Sequence, residues 1–424
     1  TCQGGGVSGH AATMDYRGTT ASASSKAEVG QLVSEYTRLV SAKAPDDPEF
    51  DRTFLQDIEG CSHRLNTLWK DFGADAADNR PPSATEVAAA LKDAGGEKLH
   101  KAPGRDGVTN WMLVWGGSRM AALLASIYAQ VWEGGELPPS WNDSQICYLH
   151  KDPLSSKTEV TNYRPISLMS VVAKLFTRSW LPRLIGKIAP HLPMEQGCGR
   201  KGQGSNEHLW AFLSTVEDCL EGRDGDTLPQ RECYALFADI HKAYDQVWRD
   251  GLFCALYAHG VRGKMWSMIR SWLLGAKATT SWNGTHGPEV PLAEGLRQGC
   301  VLSPILYCAF INCFAMSEPA KDIPSTEAPS FQKLLSQGIQ GMQSTPGAGI
   351  NVPALNARLM TLLFMDDTTL LAKTEHGLGQ LAKAHVNFCS KFRMRLNEKK
   401  SKLMRFTREK GASASFTLSA GGRT

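Results

Sequence analysis

The chain of 424 residues is long enough for more than one hydrophobic core, and a composition of 42% hydrophobic and 21% charged residues excludes a fibrous or wholly disordered protein. Its net charge of +4 is unevenly placed: residues 1–100 carry ten Lys and Arg against fifteen Asp and Glu, whereas Lys391 to Lys410 carry nine against two. A basic stretch of that density faces phosphate, a membrane surface or water.

Residues 1–30, rich in Gly, Ser, Thr and Ala, predict a flexible leader, and a mixed acidic segment from Glu49 to Gly73 predicts helix. Arg80-Pro-Pro-Ser-Ala84 marks a boundary, so residues 1–82 read as a flexible or partly helical leader and a folded unit starts near Ser83. Ser118 is placed to cap a helix with Leu124, Ile127 and Val131 that stops at Gly134-Gly135. Ser205 is placed to cap another, with Leu209, Phe212, Leu213, Val216 and Leu220 on one face. Strands are predicted for Glu232 to Ala238, Leu359 to Met365 and Thr368 to Ala372, followed by a helix from His376 to Arg395. Helices and strands mixed without a strict repeat predict an α+β fold, with helices on one face of an antiparallel sheet.

The cysteines number eleven, include no C-x-x-C pair and lie mostly in apolar runs, which indicates reduced, buried thiols rather than a disulfide framework or zinc site. The longest apolar stretch, Cys300 to Met316, is broken by Ser303-Pro304 and Asn312 and falls short of a membrane span. No membrane partner is expected, and the expected location is nuclear or cytoplasmic.

Two segments carry chemistry. Leu362 to Ala372 reads L-L-F-M-D-D-T-T-L-L-A, two strand-like runs around Asp366-Asp367, so a tight hairpin places both carboxylates at its tip. Asp is also an ordinary turn residue, because its side chain bonds nearby amides. The second segment, Phe237 to Val247 (F-A-D-I-H-K-A-Y-D-Q-V), puts Asp239 at the end of an apolar strand. Carboxylates gathered at one sheet edge repel one another and stay ionised together when cations lie between them. Mg²⁺ suits such oxygen ligands, and a pair of ions clamps the attacking and leaving oxygens of a phosphoryl transfer.

Phe237 to Val247, Leu296 to Pro304 (L-R-Q-G-C-V-L-S-P) and Phe364 to Asp367 (F-M-D-D) resemble, in order, the three palm motifs of reverse transcriptases. Lys101 to Val108 (K-A-P-G-R-D-G-V), Asn162 to Leu168 (N-Y-R-P-I-S-L) and the glycine-rich Glu195 to Leu209 are similar to the additional N-terminal blocks of non-LTR (LINE-type) retrotransposon enzymes. The resemblance covers Ser83 to Thr424. It implies a right-hand polymerase fold with fingers at 83–235, palm at 236–424 and no thumb before the chain stops. The implied activity is an RNA-directed DNA polymerase that adds dNTPs to a DNA primer, typically nicked target DNA, on an RNA template.

The resemblance also implies roles. Asp239, Asp366 and Asp367 become the ligands of two Mg²⁺ ions, with Mn²⁺ as a substitute. Tyr244 becomes the bulky gate against the ribose 2′-OH, and Gln298 and Gly299 the loop along the incoming nucleotide, with Arg297 supporting it. Lys151 and Arg164 become the grip on the triphosphate, and Lys400 the group that neutralises or protonates leaving pyrophosphate. The rest of the basic stretch would follow nucleic-acid phosphates, and Phe416 to Gly422 would begin a primer-grip hairpin. F-M-D-D stands where Y-A-D-D is the commoner form, and His241 is read as a non-ligand. Neither an endonuclease nor a zinc knuckle is recognisable, so nicking is expected from a separate or missing segment. The rival expectation is an inactive remnant that binds RNA without polymerising, and an RNA-templated RNA polymerase is disfavoured by Tyr244.

Overall fold

The computed structural model describes residues 13–16, 19–22, 26–42 and 50–409, apart from residues 201, 226–230, 283, 317–318, 320–321, 340–341, 343–344 and 356. The expected primer-grip segment, Phe416 to Gly422, lies outside the described residues.

The strands are β1 (Thr13–Tyr16), β2 (Thr19–Ser22), β3 (Asp143–His150), β4 (Tyr163–Met169), β5 (Glu232–Ala238), β6 (Lys277–Trp282), β7 (Thr285–Pro291), β8 (Ile350–Val352), β9 (Ala357–Leu359), β10 (Thr361–Phe364), β11 (Asp367–Ala372) and β12 (Lys402–Thr407). Between and around them run α1 (Lys26–Val40), α2 (Arg52–Arg64), α3 (Ala76–Asn79), α4 (Ala84–Asp93), α5 (Asn110–Trp115), α6 (Gly117–Gly134) and α7 (Pro139–Asn142). The later helices are α8 (Val171–Ile188), α9 (Ser205–Glu221), α10 (Arg249–Ala258), α11 (Gly263–Leu273), α12 (Ser303–Ile311), α13 (Ala328–Leu335) and α14 (Glu375–Lys391).

Two four-stranded sheets position the site. The first has the order β4-β3-β6-β7 and is antiparallel except for the parallel pair β3 and β6. That pair joins residues before 235 to residues after it, so the two segments expected as fingers and palm interleave through this sheet. The second, β10-β11-β5-β12, is antiparallel throughout.

In the second sheet the strand β5 is apolar almost without interruption, because both of its faces are covered. Cys233 and Ala235 pack with Phe212, Val216 and Cys219 of α9, while Tyr234 between them joins the main core with Leu378 and Leu381 of α14. The expectation of helices on a single face is therefore corrected: odd and even residues of one strand meet helices on opposite sides.

Local signals account for most helix boundaries. Asp51 accepts a hydrogen bond from the Phe54 N–H and starts α2, whose Phe54, Ile58 and Cys61 enter the core. The expected leader thus contains three helices built into the body, α1 against β6 and β7, α2 against α10 and α3 against α11. The residue before α6 is Gly116 rather than Ser118, and α9 begins after Gly204, whose N–H donates to the Glu207 carboxylate. On α9 the buried face is Phe212, Val216 and Cys219; Leu209 and Leu213 are exposed, so the predicted stripe was drawn too wide. The apolar run from Cys300 is the buried helix α12, and among the described residues no helix is long and apolar enough to cross a membrane. Ten described cysteines are free thiols, nine of them buried.

Candidate active site

Strand register brings the carboxylates together. Phe364 pairs with Asp367 across the β10–β11 hairpin, leaving Met365 and Asp366 as a two-residue tip. Met365 takes a positive φ of 56°, the conformation a tight hairpin asks of its first central residue. Ala238 pairs with Thr368, so Asp239 leaves β5 at the same end of the sheet as that tip. Desolvation raises the Asp366 pKa above the usual carboxylate range, with the charges of Asp367 and Asp239 acting the same way. The Asp367 pKa is raised by desolvation and by Asp239.

Among the described residues no three His, Cys, Asp or Glu side chains form a ready metal cage. The donor set fits Mg²⁺ in the manner that ion prefers, through one or two carboxylates, waters and substrate phosphates rather than an all-protein shell.

The carboxylates Asp239 and Asp366 line a cleft of about 640 Å³; Asp367, exposed at the start of β11, does not. On the cleft's other wall Arg164 stands on β4, paired with Leu149 of β3. Just past β3, the Lys151 N–H donates to the Asn162 carbonyl and its ammonium to the Thr161 carbonyl at 2.7 Å. Desolvation lowers the Lys151 pKa, and the positive charges of Lys400 and Arg164 lower it further. Three cations gathered with carboxylates in one cleft make a site matched to a polyanion.

The third cation, Lys400, is tied to Asp239 by backbone. The Asn397 N–H donates to the Asp239 carbonyl at 2.8 Å, and the Asp239 N–H donates to Ser401 Oγ at 3.1 Å. The turn between them presents Lys400 to the cleft. Much of the remaining basic stretch is engaged elsewhere: Arg393 with buried Glu294, Arg405 with Glu232, and Arg408 with Glu221.

Tyr244 also faces the cleft. Its ring stacks on Tyr307 with centroids 5.2 Å apart and planes 10° apart, and its hydroxyl donates to Met365 Sδ at 3.5 Å. Beside it His241 is exposed, its pKa lowered by desolvation and by Lys242 and Lys151.

The loop with Gln298 and Gly299 closes the cleft against the first sheet, where the Ser167 N–H donates to the Gln298 carbonyl at 2.7 Å. Buried Arg297 anchors this loop by donating to the carbonyls of Asn142 and Trp272, with its guanidinium over the Trp272 ring. Gly299 has φ +101°, and a Cβ there would lie 3.0 Å from the Ser167 carbonyl oxygen. Gly299→Ala is expected to lower stability by about 1–3 kcal/mol. Gly107→Ala, at a positive φ with nothing within 4 Å, is the comparison that isolates backbone strain. Denaturant unfolding of the two variants measures the difference, and equal losses would refute the close approach.

The cleft thus collects Asp239, Asp366, Lys400, Lys151 and Arg164 with Tyr244, Gln298 and Gly299, leaving Asp367 at its edge. Sequence reasoning missed Asp245, Asn397, Ser401 and Tyr36. Burial pushes the Asp245 carboxyl up to about 6, opposed by Lys242 and Lys151. Its spacing of six from Asp239, inside the same motif, was an available signal; nothing local marks Tyr36.

The body mixes helices and sheets, and its antiparallel sheet ends in carboxylates that share a cleft with cations. Residues 150–416 match the family described as reverse transcriptase (RNA-dependent DNA polymerase). The chain is 27% identical, over 265 residues, to the probable RNA-directed DNA polymerase from transposon BS of Drosophila melanogaster, covering 61% of this chain and 28% of that protein. It is 24% identical, over 332 residues, to the RNA-directed DNA polymerase from mobile element jockey of the same organism, covering 76% and 31%. A solved structure of apo telomerase from Candida tropicalis, truncated from its C-terminal domain, is similar at 14% identity and a TM-score of 0.42, covering 71% of this chain and 57% of that one. The chain belongs to the reverse transcriptase family. It spans under a third of the length of these curated relatives.

Proposed function

We propose that this chain is the core of an RNA-directed DNA polymerase that adds deoxynucleotides to a DNA primer on an RNA template. The observation that carries the proposal is that Asp239, Asp366, Lys151, Arg164, Lys400 and Tyr244 line one cleft. In this reading the fingers correspond to about 83–235 and the palm to about 236–424, with β6 and β7 returning to the fingers sheet.

Asp239 and Asp366, with Asp367 beside them, would hold two Mg²⁺ ions, or Mn²⁺ in their place. Such ions activate the primer 3′-OH and balance the charge on the transferred phosphate. Arg164 and Lys151 orient the triphosphate with its α-phosphorus in line with the primer. Tyr244 occupies the volume a 2′-OH requires, and the Gln298–Gly299 loop lies along the sugar. Lys400 neutralises the departing pyrophosphate or gives it a proton, which restores charge balance once the P–O bond breaks. The partners in this reading are RNA template, DNA primer or nicked target DNA, and dNTPs. Strand nicking comes from a segment or protein other than the residues described.

The test is extension of a DNA primer annealed to RNA by the purified chain with Mg²⁺ and dNTPs. Incorporation is the expected result. Tight RNA binding with no incorporation under Mg²⁺ or Mn²⁺ would overturn the polymerase reading in favour of a non-polymerising RNA-binding protein.

A further inference from the structure

Tyr36, a residue in the cleft that no motif announces, is contributed by α1, which lies before the family-matched residues 150–416. Tyr36 is 3% exposed, and it lines both the cleft and a small cavity beneath it together with Asp245 and Gln298. The Lys242 ammonium sits 4.3 Å from the centre of its ring. Lys242 itself has φ +48°, an unfavourable backbone for a residue with a Cβ, at the start of the turn that carries Tyr244 two residues later. Asp245, the carboxylate on the other side of this turn, feels the same ammonium.

The helix is held where this contact requires it. Tyr148 of β3 donates its hydroxyl to the Val33 carbonyl at 3.1 Å and is bonded to Thr37 Oγ1, while Ser34 Oγ meets Thr280 Oγ1 of β6 at 2.5 Å. Gly287 of β7 admits the helix closely, since a Cβ there would lie 2.3 Å from Ser34 Oγ and 2.5 Å from the Gly30 carbonyl oxygen. Past the end of α1, the Ser41 carbonyl accepts from the Glu294 N–H at 2.9 Å. The Glu294 carboxylate accepts from the Arg249 N–H, and the Arg249 guanidinium donates to the carbonyls of Leu292 and Gly295. One helix therefore grips both strips of chain that form the nucleotide pocket, the 240–245 turn and the loop leading to Gln298.

We propose that α1 is a positioning element of the deoxynucleotide pocket, with the Tyr36 ring holding the Lys242 ammonium and so fixing the turn that presents Tyr244. The proposal rests on the polymerase reading above. A ring face suits this task because it attracts an ammonium and fixes where it sits.

Primer extension by the full chain, with dTTP and rUTP varied separately, tests it. Tyr36→Leu is expected to raise KM for dTTP about fivefold to tenfold, the size of a partly desolvated cation–π contact, with kcat changed by less than about twofold. It is also expected to weaken discrimination against rUTP. Tyr36→Phe, which keeps the ring, restores both quantities. Lys242→Met reproduces the Leu phenotype, and the double variant adds nothing further. Wild-type KM and discrimination in Tyr36→Leu, or equal losses in Tyr36→Leu and Tyr36→Phe, overturn the proposal. If Tyr36→Leu does not fold, wild-type KM in Lys242→Met overturns it. Hydrogen exchange at residues 240–246, expected to be faster in Tyr36→Leu than in Tyr36→Phe, reads the contact without activity. A wild-type chain that fails to extend is thereby distinguished from a failed α1 proposal.

Discussion

Replacing Asp366 and Asp367 together by asparagine is expected to lower primer extension by at least about a thousandfold while leaving RNA binding largely intact. The substitution keeps the shape of the hairpin tip, whose backbone is set by the Phe364 and Asp367 pairing and by Met365 at positive φ. What it removes is negative charge. Both carboxyls have raised pKa values, from desolvation first and then from neighbouring carboxylates. An acid raised in the folded state opposes folding at pH values above its unfolded pKa, so removing the pair relieves a cost near neutral pH. The double variant is therefore expected to unfold at the same temperature as wild type or higher, as is common when an active site trades stability for function. Single-turnover extension, filter binding of RNA and thermal unfolding check the three parts, and wild-type extension would remove the carboxylates from the mechanism.

The second large effect is on sugar selection. Tyr244→Ala is expected to relax discrimination between dNTP and rNTP by roughly tenfold to a hundredfold, by admitting the ribose 2′-OH into space the ring now fills. The ring is well suited to exclude it, being stacked on buried Tyr307 and tethered to Met365 through its hydroxyl. Tyr244→Phe keeps the stack and loses only the contact to sulfur, so it should retain selection against rNTP. Truncation to alanine should cost at most about 3 kcal/mol of stability, because the side chain is only half-buried. Incorporation ratios for dNTP and rNTP competing on the same primer measure the effect, and an unchanged ratio in Tyr244→Ala would show that another group makes the selection.

Several elements were legible from short-range pattern. Strand β5 was expected at Glu232 to Ala238 and forms there, because a continuous apolar run ending in a turn segment has few alternatives. The β10–β11 hairpin and α14 were equally legible, from strands around an Asp-Asp tip and from Leu378, Leu381 and Cys389 at helical spacing. The face of α9 was not. Leu209 and Leu213 fit the periodicity as well as Phe212 and Val216 do, but only contact with β5 and β10 decides which are buried. The basic stretch from Lys391 to Lys410 was legible as charge and not as partners, since Arg393, Arg405 and Arg408 meet carboxylates far away in the chain.

By itself the sequence singled out the groups proposed to carry the chemistry: three carboxylates, a tyrosine, a glutamine-glycine loop and a set of cations, legible because their motifs are local and follow one another in a set order along the chain. Tertiary structure alone decided that Lys151 and Arg164 face Asp239 and Asp366 across one cleft, that Asp367 stands at its edge, and that α1 reaches in with Tyr36. The physical reason is that burial, mutual repulsion and a ring meeting an ammonium depend on distances between residues hundreds of positions apart. Such distances are fixed by the packing of whole sheets and helices, not by neighbours in the chain.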